Sequence, residues 1–317
     1  MQRLLKALAI AVALLLTMAF AQPDGLPDLV IVQRERLHPE GVEWDAENGR
    51  FLIGSFTEGT IFEIADDGTM TPFIEDEALI TSLGIHIDRE HGRLLVTNSD
   101  PEGTGIAQLG IYDLDTGERL HLVDLGALSE GEHHLANDVT TDSEGNAYVT
   151  DSFSPVIYKV TSDGEASIFA ESEAFVSESF GLNGIEYHAD GYLLVALTEP
   201  GALFRIPLDD PEAITEIELS ESFSPDGIML HPNGNLIVVA GTLNEDGSTN
   251  REVLEVASDD NWTSAEIVNR APTDPDRSAS TVTIRDETPY VVYSHFNELF
   301  SGQLVDEFEI VRIDFGQ

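Results

Sequence analysis

Six positions along this chain have the residue types and spacing to act together: Glu40, Leu83, Asn137, Asn183, Asp226 and Ser280, at intervals of 43 to 54 residues. Each opens the same local pattern, a small or short residue followed by an apolar–x–apolar run. Examples are Glu40-Gly41-Val42-Glu43-Trp44, Asn183-Gly184-Ile185-Glu186-Tyr187 and Asp226-Gly227-Ile228-Met229-Leu230. Two carboxylates and two carboxamides brought to one point offer four oxygen donors and two negative charges, with room for water. That is the donor set calcium takes. The chain has no cysteine, and no histidine recurs in this column, which argues against zinc. Asn-Asp, Asn-Gly and Asp-Gly pairs are also ordinary turn formers. The chemical reading therefore rests on their shared register, in a column that Leu83 and Ser280 keep from being uniformly polar.

The elements that must position these residues recur with them. A second short apolar run follows each opening, at 50–53, 93–96, 146–149, 192–195, 235–238 and 289–292, and five of the six come after a glycine suited to a tight hairpin turn. A third run follows at 60–64, 110–114, 156–160, 202–206, 251–256 and 308–313. Repeats of this length and strand pattern predict an all-β fold, a six-bladed β-propeller. A β-sandwich would also show many short strands, but not six units in register. The sixth unit runs out of chain before a fourth strand, while an apolar segment at 29–32 precedes the first unit. The expectation is that this N-terminal strand completes the last blade and closes the ring. First strands line a propeller's channel, so the column becomes a ring around the axis.

Composition narrows the function classes. A formal net charge of −44 excludes a nucleic-acid partner and disfavours anionic lipid, since both need a basic surface. Most of that acid reads as a solvated surface. Without cysteine, neither disulfides nor a thiolate nucleophile is available. At the N-terminus, Arg3 and Lys6 precede an apolar run at 7–20 with Ala19 and Ala21 at its end, the pattern of a signal peptide cleaved after Ala21. The run is shorter than the roughly 20 residues a spanning anchor needs. Residues 22–317 are then expected to form a single exported domain, periplasmic or extracellular, off the membrane and monomeric.

The segments His38-Pro39-Glu40-Gly41, Leu135-Ala136-Asn137-Asp138, Leu182-Asn183-Gly184 and Pro225-Asp226-Gly227 resemble the SMP-30/gluconolactonase/LRE-like family. The related diisopropylfluorophosphatase and paraoxonase propellers share the same ligand arrangement. The resemblance implies calcium or another divalent ion held by Glu40, Asn137, Asn183 and Asp226, and hydrolysis of lactones, or sometimes phosphotriesters, at that ion. One position departs from the pattern: sugar lactonases of the group resemble one another in an Arg two residues before the Asn-Asp pair, where this chain has Leu135. A less polar lactone or ester is the expected small-molecule substrate.

In such a site the ion would polarise a carbonyl and acidify water, with Asp226 or Glu40 as base or nucleophile. His38, His133, His134 and Asp138 are candidates to contact substrate, although each histidine alone reads more readily as a packing or surface residue. Ser55, Asn98, Asp151 and Ser294, at the ends of second strands, read as polar caps or as supports for the ring. Asp113, Asp115 and Gly117 resemble part of a calcium loop but lack its later glutamate and read as a hairpin turn. The competing class is a non-catalytic propeller that binds a ligand or protein and uses calcium only to fix the axis.

Overall fold

Short strands whose neighbouring residues point to opposite faces can bury both faces only by stacking sheet against sheet. The computed structural model, which describes residues 25–100, 105–131, 133–243 and 249–316, does this with six small sheets, antiparallel but for one short edge pairing, arranged as a six-bladed β-propeller. The expected leader, 1–21, lies outside the described residues.

The second strand of each blade shows why the stacking works. In Ala147–Asp151, Tyr148 packs toward the fourth blade while Val149 packs toward the second. Leu193 and Leu194, and likewise Ile237 and Val238, divide in the same way between the interfaces on either side. Six apolar clusters result, each filling the space between two adjacent blades. Burial on both faces explains why these strands read as continuous apolar runs.

The ring closes as expected. Leu29–Gln33 pairs antiparallel with Glu307–Arg312, from Leu29 opposite Val311 to Gln33 opposite Glu307, as the outer strand of the sixth blade. Val30 and Val32 then join Phe51, Phe62, Tyr290 and Phe308 in the core between the last blade and the first.

The fourth strands, Met70–Ile74, Arg119–Asp124, Ala166–Glu171, Thr215–Glu216 and Ser264–Pro272, carry little apolar pattern because they lie outermost and largely exposed. That of the fourth blade is only two residues long, and the chain next places Glu218–Leu219 parallel to Ser264 and Ala265 of the fifth blade. The turn at Asp113 is a hairpin turn: Gly117 N–H donates to Asp113 O at 2.9 Å, with the glycine at φ +70°. Among the described residues one short α-helix, Phe296–Phe300, follows the second strand of the sixth blade and has no counterpart in the repeat.

Candidate functional site

The first strands approach one another closely around the axis, and this dictates the glycine after four of the six ring positions. A Cβ on Gly184 would lie 2.7 Å from both Asp226 O and Ile228 N of the next blade, and Gly41, Gly84 and Gly227 are similarly confined by the strand beside them. In four blades the pairing of the first two strands shifts register across the ring residue, between Ala136 and Val139, Leu182 and Ile185, Pro225 and Ile228, and Ala279 and Val282. Such bulges re-aim a side chain out of the regular pleat. Glu40 and Leu83 sit just ahead of the strands Val42–Asp45 and Ile85–Asp88.

All six column residues line one cavity of about 300 Å³ at the end of the channel. Glu40, Asn137, Asn183 and Ser280 are buried there, and Asp226 is partly exposed. A belt of hydroxyls holds the ring. Thr97 Oγ1 donates to Asn137 O at 2.7 Å, Thr150 Oγ1 to Asn183 O at 2.7 Å, Thr198 Oγ1 to Pro225 O at 2.9 Å and Ser280 Oγ to Glu40 O at 2.9 Å. The same belt orients the carboxamides. Asn137 Nδ2 donates to Ser152 Oγ at 2.9 Å; Asn183 Nδ2 donates to Thr198 Oγ1 at 3.1 Å and to Asp226 Oδ1 at 2.8 Å. With their nitrogens engaged, Asn137 Oδ1 and Asn183 Oδ1 are left buried with no hydrogen-bond partner.

The carboxylates are also poorly compensated by protein. Burial, reinforced by Asp226 and Asp138, holds the Glu40 carboxyl well above the ordinary range. Burial pushes Asp226 up to about 6, against the hydrogen bond from Asn183 and the charge of Arg251. Two acids that resist ionisation and two orphaned carbonyl-type oxygens share one cavity. A hard divalent cation takes such oxygens and favours the ionised carboxylates, so the residues present fit a calcium-type ion.

Directly inward lies a second acidic layer. Glu43, His86, Asp138 and Glu186 border an enclosed void of about 20 Å³, room for about one water. Burial raises Asp138 to about 7 and Glu186 well above the usual range, the latter helped by Glu43 and Asp138. Asp138, a candidate substrate contact, thus faces the inside of the channel.

The histidines lie apart from the ring. His38 is fully buried, with Nδ1 2.9 Å from Ser294 O and its ring edge-on to Phe308 at 5.1 Å. His134 is buried with Nδ1 2.9 Å from Asp151 Oδ2 and 3.0 Å from Ser154 Oγ, and that carboxylate raises its pKa. Neither borders the cavity, and His133 is exposed. Ser55, Asn98, Asp151 and Ser294 bond the backbone of connecting loops, as caps do; Asp151, for instance, accepts from the N–H groups of Leu135, Phe153 and Ser154. The hydroxyls that do support the ring, Thr97, Thr150, Ser152 and Thr198, are strand neighbours of those caps or their equivalents, on the alternate face. A period-two reading of the second strands would have singled them out.

The walls are apolar. Leu83 and Leu135 stand with Phe56, Phe153, Phe180, Phe296 and Phe300 around the opening. Fold and site together define a six-bladed propeller with an oxygen-donor ring under an aromatic mouth.

No family model matches the chain, and no curated protein matches it. Solved structures do. The chain is similar to the Malassezia sympodialis allergen Mala s 1, with a TM-score of 0.76 at 17% identity over 92% of this chain and 97% of that one. It is similar to a gluconolactonase from Xanthomonas campestris, with a TM-score of 0.61 at 15% identity over 91% of each chain. Virginiamycin B lyase from Staphylococcus aureus gives a TM-score of 0.60 at 14% identity over 90% of this chain and 99% of that one. Identities this low establish the shared fold, which serves proteins of different chemistry.

Proposed function

We propose that this protein is an exported, monomeric hydrolase of lactones or related esters that depends on a divalent cation, most simply calcium, held by Glu40, Asn137, Asn183 and Asp226. The carrying observation is the pair of buried, unpartnered carboxamide oxygens beside two carboxyls at the base of a ligand-sized cavity. The gluconolactonase among the structural neighbours supports the hydrolase class. Export rests on Arg3, Lys6 and the apolar run that follows them.

A bound cation would supply Lewis-acid polarisation of a carbonyl oxygen and a more acidic water. The chain's own residues do the rest. Asp226 Oδ1 is engaged by Asn183 Nδ2, so Oδ2 is the atom left to take a proton. A cation beside it would favour its ionised form, the form that accepts a proton. Glu40, more deeply buried and held higher, serves as ligand and counter-charge. Water adds to the acyl carbon as Asp226 takes its proton, the ester C–O bond breaks, and the proton passes to the departing alkoxide oxygen. A lactone plus one water leaves as one hydroxy acid.

The test is turnover of a panel of lactones, aryl esters and a phosphotriester with calcium, after chelation, and by Asp226→Asn. Chelator-sensitive turnover that is lost in the variant is expected. A calcium-dependent rise in melting temperature without turnover of any substrate would reduce the cation to a structural role and leave a binding module.

A further inference from the structure

Five phenylalanines from four blades meet around one opening. Phe56 packs at 5.0 Å from Phe296 and 6.3 Å from Phe300, which are themselves 5.7 Å apart. Phe153 and Phe180 form a separate edge-on pair at 5.5 Å. Every one of them lines the cavity above the oxygen ring, yet Phe153, Phe180 and Phe300 keep 41%, 39% and 74% of their surface exposed. On a chain of net charge −44, a clustered apolar mouth of this kind marks a binding surface rather than chance exposure.

Resting on the reading of the site as a hydrolase, we infer that these phenylalanines select its substrate: a neutral lactone or ester bearing an alkyl or aryl substituent, and not a sugar lactone or an anion. Three observations converge. The cavity, about 300 Å³, is at the small end of ligand pockets, which span about 300–1,000 Å³, and so suits a small molecule. Among the described residues its lining contains no Lys, Arg or His, and apart from the ring residues Thr198 is the one polar side chain. The hydroxyls of a sugar would be desolvated there without partners, at roughly tenfold in affinity each. Finally, Phe153, Phe180 and Phe300 leave apolar surface open at the mouth, which an alkyl or aryl substituent would cover.

The experiment uses γ-lactones with unbranched substituents from methyl to hexyl, with glucono-1,5-lactone for comparison. Two readouts run in parallel: kcat/KM with calcium, and displacement of the neutral dye Nile red from Asp226→Asn, which reports binding without turnover. Affinity and kcat/KM should rise up to about fourfold per methylene until the mouth is filled, with the sugar lactone weakest. Phe180→Ser and Phe300→Ser should flatten that slope, whereas Leu304→Ser, exposed but outside the cavity lining, should not. A flat slope in the wild type, a preferred sugar lactone, or a slope indifferent to both phenylalanine changes overturns the inference even if hydrolysis occurs. A graded binding slope with no turnover anywhere upholds the aromatic selector and overturns the hydrolase reading instead.

Discussion

Asn183 Nδ2 donates to Asp226 Oδ1 across 2.8 Å, joining the fourth blade to the fifth at the mouth of the channel. The bond fixes which way the carboxamide faces, because an amide that gives its nitrogen to two acceptors must present its oxygen elsewhere. That oxygen is buried and unpartnered, so ligand geometry at the ring depends on the carboxylate next door.

Replacing Asn183 by Leu keeps the γ-branched outline of the side chain and removes the oxygen. With calcium at about 100 times its dissociation constant, binding to the native state alone contributes about 2.7 kcal/mol, or roughly 5 °C in melting temperature for a chain of this size. That increment should appear in wild-type thermal melts and be lost in Asn183→Leu.

The calcium effect should itself depend on pH. Asp226 is raised to about 6 in the folded protein from an ordinary value of 3.8. The folded state therefore holds its proton more tightly than the unfolded chain, and stability without metal falls as pH rises from about 4 through 6. A cation that favours the carboxylate offsets that loss. The calcium-induced shift in melting temperature should be small at pH 4.5 and several-fold larger at pH 7; a shift independent of pH would contradict this electrostatic account.

Glu186 allows the same linkage to be read one layer deeper. Its carboxyl is raised well above 4.5 by burial and by Glu43 and Asp138, so its contribution is also most favourable at low pH and is lost as pH rises. Glu186→Gln removes the charge and keeps the shape. The variant should match wild type near pH 4 and exceed it at pH 8 by about 1–3 kcal/mol, measured by denaturant unfolding at both values.

Gly184→Ala tests the packing of the first strands. The added Cβ would stand 2.7 Å from Asp226 O and Ile228 N, backbone atoms that cannot swing aside. Overpacking of this kind costs about 1–3 kcal/mol. Part of the strain should fall on Asp226, so calcium affinity should drop along with the denaturation midpoint.

The repeat and its closure were legible in the chain for a simple reason. Each blade buries its second strand on both faces, and five of the six turn into it through glycine, so apolar runs and turn residues recur at blade spacing. The outer strands were not legible: Arg119–Asp124 is largely exposed, and solvent imposes no pattern. The helix Phe296–Phe300 sits in a loop of the sixth blade, outside the repeat. His38 and His134 read more readily as packing or surface residues than as substrate contacts, and both are buried, with partners at Ser294 and Asp151 that residue type could not name.

What the amino-acid order determined by itself was the six-fold register, with Glu40, Asn137, Asn183 and Asp226 at equivalent positions, and an N-terminal strand free to complete the last blade. Periodicity carries that information because equivalent residues of stacked blades meet at one level of the axis. The tertiary structure alone decided which atoms face the cavity. The orientation of Asn137 and Asn183 is set by Ser152, Thr198 and Asp226, and the mouth is built from phenylalanines up to 244 positions apart in the chain. Asn137–Ser152 and Asn183–Thr198 join strands of one blade and Asn183–Asp226 joins two blades, and local order along one strand cannot encode where its neighbour's side chains will stand.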